Sequence, residues 1–216
     1  MADWKTAPVS EIQRAGLALA QRLTQEPKRV DAAFVAELQE RGLSIPQIER
    51  VAQIAFLFAI INRAADAFDF PVFEGERLAQ LSGALNAVAS FVRVPAFSPT
   101  WERGVDGIVR PAGVSTARER LISVKGVVPA QLRADIEAFA AGLWGAQRPE
   151  VTLPPEIDNY IGRVTAYAFG LDDAATDGLR EAGYDDDGIF ELTLAAAIGA
   201  ACAVVEPLYG VLYGEP

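Results

Sequence analysis

The apolar positions of this chain recur with helical spacing, and in two stretches they recur in step. Residues 36–70 and 177–211 align at a constant offset of 141, so that Leu38 falls on Leu179, Gly42 on Gly183, Ile48 on Ile189, Ala55 on Ala196 and Ala59 on Ala200. Upstream of each stretch lies one more helical pattern. Ile12, Gly16, Leu19 and Leu23 share a face behind Ser10-x-x-Gln13, and Ile157, Ile161 and Val164 share a face behind Pro154-Pro155. Between the stretches, Arg77 to Phe91 predicts a helix. Gln131 to Trp144 predicts another, with Leu132, Ile136, Phe139 and Leu143 at helical spacing. Alternation of the strand type is absent. The pattern predicts one all-α domain over 1–216, with a first repeat at 10–70, spacer helices and a loop over 76–148, and a second repeat at 150–213.

Local signals at the repeat ends set helix boundaries. Asp31 is placed to cap a short helix ending near Arg41, and Asp172 holds the matching position. Gly42 and Gly183 stand where a left-handed residue ends a helix, with Leu43 and Tyr184 packing back on Leu38 and Leu179. Ser44 with Gln47 forms a capping box for the next helix, Leu43 against Ile48 a hydrophobic staple, and Asp185 replaces Ser44 in the second copy. Each copy is therefore a tight αα-hairpin. From Val51 to Ile61 only Gln53 interrupts the apolar residues, which predicts a helix buried on most faces. Its partner, Glu191 to Tyr209, is rich in Ala and Gly and suits close helix approach. Residues 93–114 contain Pro95, Pro99 and Pro111 and read as a long loop.

Composition excludes several classes. The net charge is −10, and residues 149–216 carry two cations against 13 anions, which argues against nucleic acid because phosphate binding needs clustered cations. The apolar run Thr193 to Val205 falls short of the ~20 residues that span a bilayer, so it predicts a buried helix and no membrane partner. The first residues do not read as a signal peptide, and one cysteine excludes an intrachain disulfide. A cytoplasmic protein is expected.

The run from Leu23 to Phe68 resembles the helical repeat of the carboxymuconolactone decarboxylase and alkylhydroperoxidase D-like superfamily, and more narrowly its peroxidase-related branch. The resemblance rests on Leu23-Thr24 with Pro27, on Gly42-Leu43-Ser44, and on Asn62-Arg63 with Asp66; the second copy is similar to the superfamily's degenerate repeats. It implies an alkylhydroperoxidase D-like helical bundle with an internally duplicated hairpin. It also implies chemistry that this chain cannot supply in the family's way. The peroxidase members use a Cys-x-x-Cys pair near a His and a Glu, and the decarboxylase members a His. Here there is one cysteine and no histidine. The expected function is thus a binding or structural member without a peroxidatic centre. The alternative is a single-cysteine peroxidase or thiol oxidoreductase using Cys202 with an external resolving thiol.

The candidate residues carry competing readings. Cys202 lies between Glu191 and Glu206 on one helix. Acidic neighbours and apolar surroundings disfavour a thiolate, so a small buried hydrophobe is the plainer reading. Asn62, Arg63 and Asp66 either line a pocket, with Arg63 as an anion clamp, or close a helix end. Arg93, Trp101, Arg103 and Arg110 form a mildly basic, aromatic-bearing stretch, which suits a lid over a small anionic ligand or a subunit contact. Asp185, Asp186 and Asp187 lack the spacing of a calcium loop and stand at a helix start, so no metal and no cofactor are expected. The apolar stripe Phe56, Leu57, Phe58, Ile60 and Ile61 predicts a homo-oligomer, with a two-fold dimer favoured, unless the spacer helices cover it.

Overall fold

The computed structural model describes residues 4–69, 101–103 and 109–214, with side chains described for 4–69 and 118–214. The predicted helix Arg77 to Phe91 and candidate Arg93 lie outside the described residues. Eight α-helices are present among them: α1 (Glu11–Gln25), α2 (Ala32–Glu40), α3 (Ile45–Ala67), α4 (Ala112–Ser123), α5 (Ala130–Leu143), α6 (Pro155–Tyr167), α7 (Asp173–Glu181) and α8 (Asp186–Tyr213). The all-α class therefore holds.

Within the spacer two differences appear. Trp101–Arg103 and Val109–Pro111 form strands β1 and β2 of an antiparallel ribbon, pairing Trp101 with Pro111 and Glu102 with Arg110. Helix α4 begins directly after Pro111, inside the stretch read as a loop. Pro111 explains the miss: it ends the ribbon and leaves its missing N–H at the start of a helix, where no partner is needed.

The helix ends follow the caps read from the sequence. Ser10 and Gln13 form a capping box on α1, and Ser44 and Gln47 form one on α3. The Asp31 carboxylate accepts from the Phe34 N–H and that of Asp172 from the Ala175 N–H. Gly42 and Gly183 both have φ of +95°. After α2, the Leu43 N–H donates to the Leu38 carbonyl at 3.0 Å; after α7, the Tyr184 N–H donates to the Leu179 carbonyl at 3.0 Å. With the Gly42 N–H donating to the Gln39 carbonyl and the Gly183 N–H to the Arg180 carbonyl, each turn has the two bonds of a Schellman ending, which a left-handed residue with no Cβ penalty makes possible. At the turn, α2 and α3 bend through 116°.

Helix α8 is the axis of the fold. It is 28 residues long, and its most apolar window is 83% buried inside the protein. It packs between α3 on one side and α5 on the other. The approach of α5 is closest at Gly199, where an added Cβ would lie inside contact distance of the Glu137 carbonyl oxygen and 3.0 Å from the Ala140 Cβ. Small residues here let two backbones meet. In contrast, α3 departs from its expectation. Ile48, Ala52, Phe56 and Ala59 are buried, but Ile54, Leu57, Phe58 and Ile61 stand in solvent, so the helix is buried on one side and not on most. An apolar composition all round marks a helix that needs neighbours, and the described residues supply them on one side only.

Candidate functional site

Cys202 sits in the middle of α8 and is 0% exposed. The two carboxylates nearest to it in sequence are both engaged in holding the spacer against α8. Glu191 accepts from the Val127 and Val128 N–H groups at 2.9 and 3.0 Å and pairs with Arg133 at 3.3 Å. Gly126 makes room for this clamp, since a Cβ there would collide with the Glu191 carboxylate and the Arg133 guanidinium. Glu206 pairs with Arg148 at 2.6 Å. Neither glutamate is aimed into a cavity with the thiol.

Glu206 belongs to a larger buried cluster that the sequence reading passed over. Glu137, on the buried face of α5, is 0% exposed and lies 3.0 Å from Arg118 of α4 and 3.6 Å from Arg148. Two arginines and two glutamates thus gather where α4, α5 and α8 meet. The pattern of α5 held the signal. Arg133 and Glu137 fall one turn apart, interleaved with Leu132, Ile136 and Phe139, and charges on a core face demand partners. What it could not name was the partner 58 residues away.

A second polar group lies at the far end of α8. The Tyr213 hydroxyl donates to the buried Glu49 carboxylate of α3. Burial pushes the Tyr209 phenol well above its ordinary range, and the nearby Glu49, Tyr213 and Cys202 act in the same direction. Tyr209 is therefore a neutral phenol at any working pH, unsuited to act as a base. Tyr160 and Thr193 share a buried hydroxyl–hydroxyl bond of 2.6 Å, which likewise raises no nucleophile.

The trio at the end of α3 does not form an anion clamp. Arg63 donates from Nε to the Thr165 carbonyl at 3.1 Å and from Nη1 to the Ala59 carbonyl at 2.9 Å, and its guanidinium lies 5.3 Å from the Trp144 ring centre. Trp144 donates to the same Thr165 carbonyl. Burial lowers the Arg63 pKa and Asp66 partly offsets this. Arg63 stitches α3 to α6, while Asn62 and Asp66 remain exposed. Trp101 and Arg110 stand on the β-ribbon, at paired positions one residue apart in register.

The aspartates before Gly188 act as the capping reading requires. Asp185 accepts from the Gly188 N–H at 2.8 Å, and Asp186 pairs with Arg180 at 3.1 Å. Among the described residues no group of three or more Cys, Asp or Glu side chains is gathered for a metal ion.

Among the described residues an apolar groove with a volume of about 960 Å³ lies between α1 and α3. Gly16, Ala20 and Ala55 lie among its lining, Ile12, Ile54 and Phe58 flank it, and Arg50 is its one cation. None of Cys202, Glu191, Glu206, Asn62, Arg63 and Asp66 is among its described lining residues. The chain matches no family model, no curated protein and no solved structure.

Proposed function

We propose that this protein is a duplicated alkylhydroperoxidase D-like helical protein that lacks a peroxidatic centre and serves as a binding or structural member of that superfamily. The duplication is supported by corresponding geometry at the offset of 141. The bounds of α2 and α7 differ by that offset at both ends, as do the starts of α3 and α8, and Gly42 and Gly183 have the same φ. The absence of a peroxidatic centre is supported by one observation above others: Cys202 is enclosed on all sides. A thiolate must reach solvent-borne peroxide to be oxidised and must be reached by a resolving thiol. Neither approach is open in this packing, and the flanking carboxylates already have partners. The α1–α3 groove offers apolar surface and no convergent acid, base or nucleophile, which suits binding over catalysis.

Peroxide consumption tests the proposal. With a thioredoxin-like or dihydrolipoyl-type reductant, no turnover above that of the reductant alone is expected. In the native protein Cys202 should react with a thiol reagent only on the timescale of unfolding. Robust turnover that disappears in Cys202→Ser would establish the single-cysteine alternative and overturn this reading.

A further inference from the structure

The face of α8 that α5 covers has a counterpart on α3 that no described residue covers. At about 100° per residue, Arg50, Ile54, Leu57, Phe58, Ile61 and Ala65 share one stripe of α3. At the offset of 141 their counterparts are Glu191, Ala195, Ile198, Gly199, Cys202 and Glu206. That is the α8 face on which α5 and its flanks are seated, by Glu191 on the Val127 and Val128 amides, by Gly199 against the Glu137 carbonyl, and by Glu206 on Arg148. On α3 the corresponding Ile54, Phe58 and Ile61 are 51%, 56% and 55% exposed.

We propose that this stripe binds a second copy of the chain, whose own α3 lies across it antiparallel, about a two-fold axis between Leu57 and Phe58. Three observations select that occupant. First, the related face of α8 takes an α-helix, so this backbone surface is already shaped to receive one. Second, the surface carries both halves of its own complement. Where α8 has Gly199, α3 has Phe58, so an incoming helix cannot approach as closely as α5 does and a hollow must receive the ring. The α1–α3 groove, with Gly16, Ala20 and Ala55 among its lining residues, is such a hollow on the same face. A two-fold axis directs each chain's Phe58 at the other's groove, the self-complementarity that isologous pairing requires. It also sets Ile54 opposite the partner's Ile61. Third, the charge at the stripe's end is inverted. Glu191 suits the Val127 and Val128 amides that lead into α5; Arg50, which makes no ion pair with the described residues, suits the opposite pole of a helix. In the antiparallel arrangement it meets the C-terminal half of the partner's α3, opposite the partner's Ala65 and beside the partner's Asp66.

Sedimentation equilibrium on the full chain tests the proposal independently of the peroxide assay, which reads the same for one chain or two. The expected mass is twice the 23.1 kDa of one chain. It should fall to that of one chain in Phe58→Arg and in Ile54→Arg, with far-UV circular dichroism unchanged because both positions are exposed. As a second measure, a short bismaleimide should join two chains of Leu57→Cys, Cys202 being shielded, and should not join chains of Glu40→Cys, an exposed position on α2. Should either arginine variant fail to fold, the Leu57→Cys cross-link decides. A wild-type mass of one chain at every concentration, with no Leu57→Cys cross-link, overturns the proposal. So does a dimer that survives both arginine substitutions, and so does a one-chain protein whose groove takes up an apolar dye, which would give the face to a small ligand.

Discussion

Replacing Glu137 by alanine removes the centre of the buried charge cluster, and the outcome distinguishes a structural tether from surface decoration. The carboxylate is fully enclosed, 3.0 Å from Arg118 and 3.6 Å from Arg148. Taking one partner out of a buried ion pair costs about 3–5 kcal/mol, because the remaining charge stays desolvated. Arg148 keeps Glu206 at 2.6 Å, so the loss falls mainly on Arg118, and the lower end of that range, about 3 kcal/mol, is expected. For a chain of this size each kcal/mol moves Tm by about 2–4 °C, so Glu137→Ala should melt roughly 6–12 °C lower. The Arg29–Glu26 pair provides the control. It is shorter than either Glu137 contact, at 2.7 Å, but both side chains are substantially exposed. Glu26→Ala should cost well under about 1 kcal/mol, since solvent screens an exposed pair. Urea unfolding followed by far-UV circular dichroism measures both. Adding Arg118→Met to Glu137→Ala should recover part of the loss by removing the stranded cation, a coupling that a double-mutant cycle reads directly. If Glu137→Ala unfolds within about 1 kcal/mol of wild type, or no worse than Glu26→Ala, the enclosure of this cluster is wrong.

Two further predictions follow from glycines. Gly199→Ala should destabilise by about 1–3 kcal/mol despite alanine's better helix propensity, because the new methyl must push α5 away at the Glu137 carbonyl; unfolding at or above the wild-type denaturant midpoint would refute that contact. Gly183→Ala isolates backbone strain, since nothing lies within 4 Å of the added Cβ, and should cost about 1 kcal/mol. Gly42→Ala adds a 3.3 Å approach to Ile12 and should cost more; equal or reversed costs in urea unfolding would contradict this packing.

What could be read in the sequence was whatever is decided locally. A capping box, an N-cap aspartate or a left-handed glycine involves residues three to five apart, so Ser44, Asp172 and Gly183 announced the helix ends without any knowledge of the fold. The burial of Cys202 was readable for a similar reason, since its helix is apolar across several turns. An apolar excess along the stripe Phe56 to Ile61 was readable, but not that Ile54, Leu57, Phe58 and Ile61 would be its open side and Phe56 its buried one, because side-chain type does not say which neighbour arrives. Nor was the role of Glu191 and Glu206. Their nearness to the thiol in sequence made them candidates beside it and, as acids, disfavoured a thiolate there, while their partners, Arg133 and Arg148, are each 58 residues away. Buried charges on α5 were the available clue, and they required only that some partner exist.

The different surroundings of α3 and α8 follow from a few side-chain differences at positions 141 residues apart. With Gly199 and a run of alanines, α8 lets α5 approach to backbone contact and becomes the centre of the molecule. With Phe58 and Ile54 at the corresponding places, α3 cannot take a helix at that distance, and no described residue of the same chain fills the hollow beside it. The carboxylates diverge in the same way. Glu191 and Glu206 occupy the rows of Arg50 and Ala65, so the α8 stripe offers two anionic anchors to the spacer where the α3 stripe offers one cation and a methyl group. Glu191 and Glu206, the two candidates that flank Cys202, are thus residues by which α8 accepts α5 and its flanks along its length. Chemistry at the thiol would require opening that interface, and the same acids that hold it closed would have to leave Arg133 and Arg148 behind.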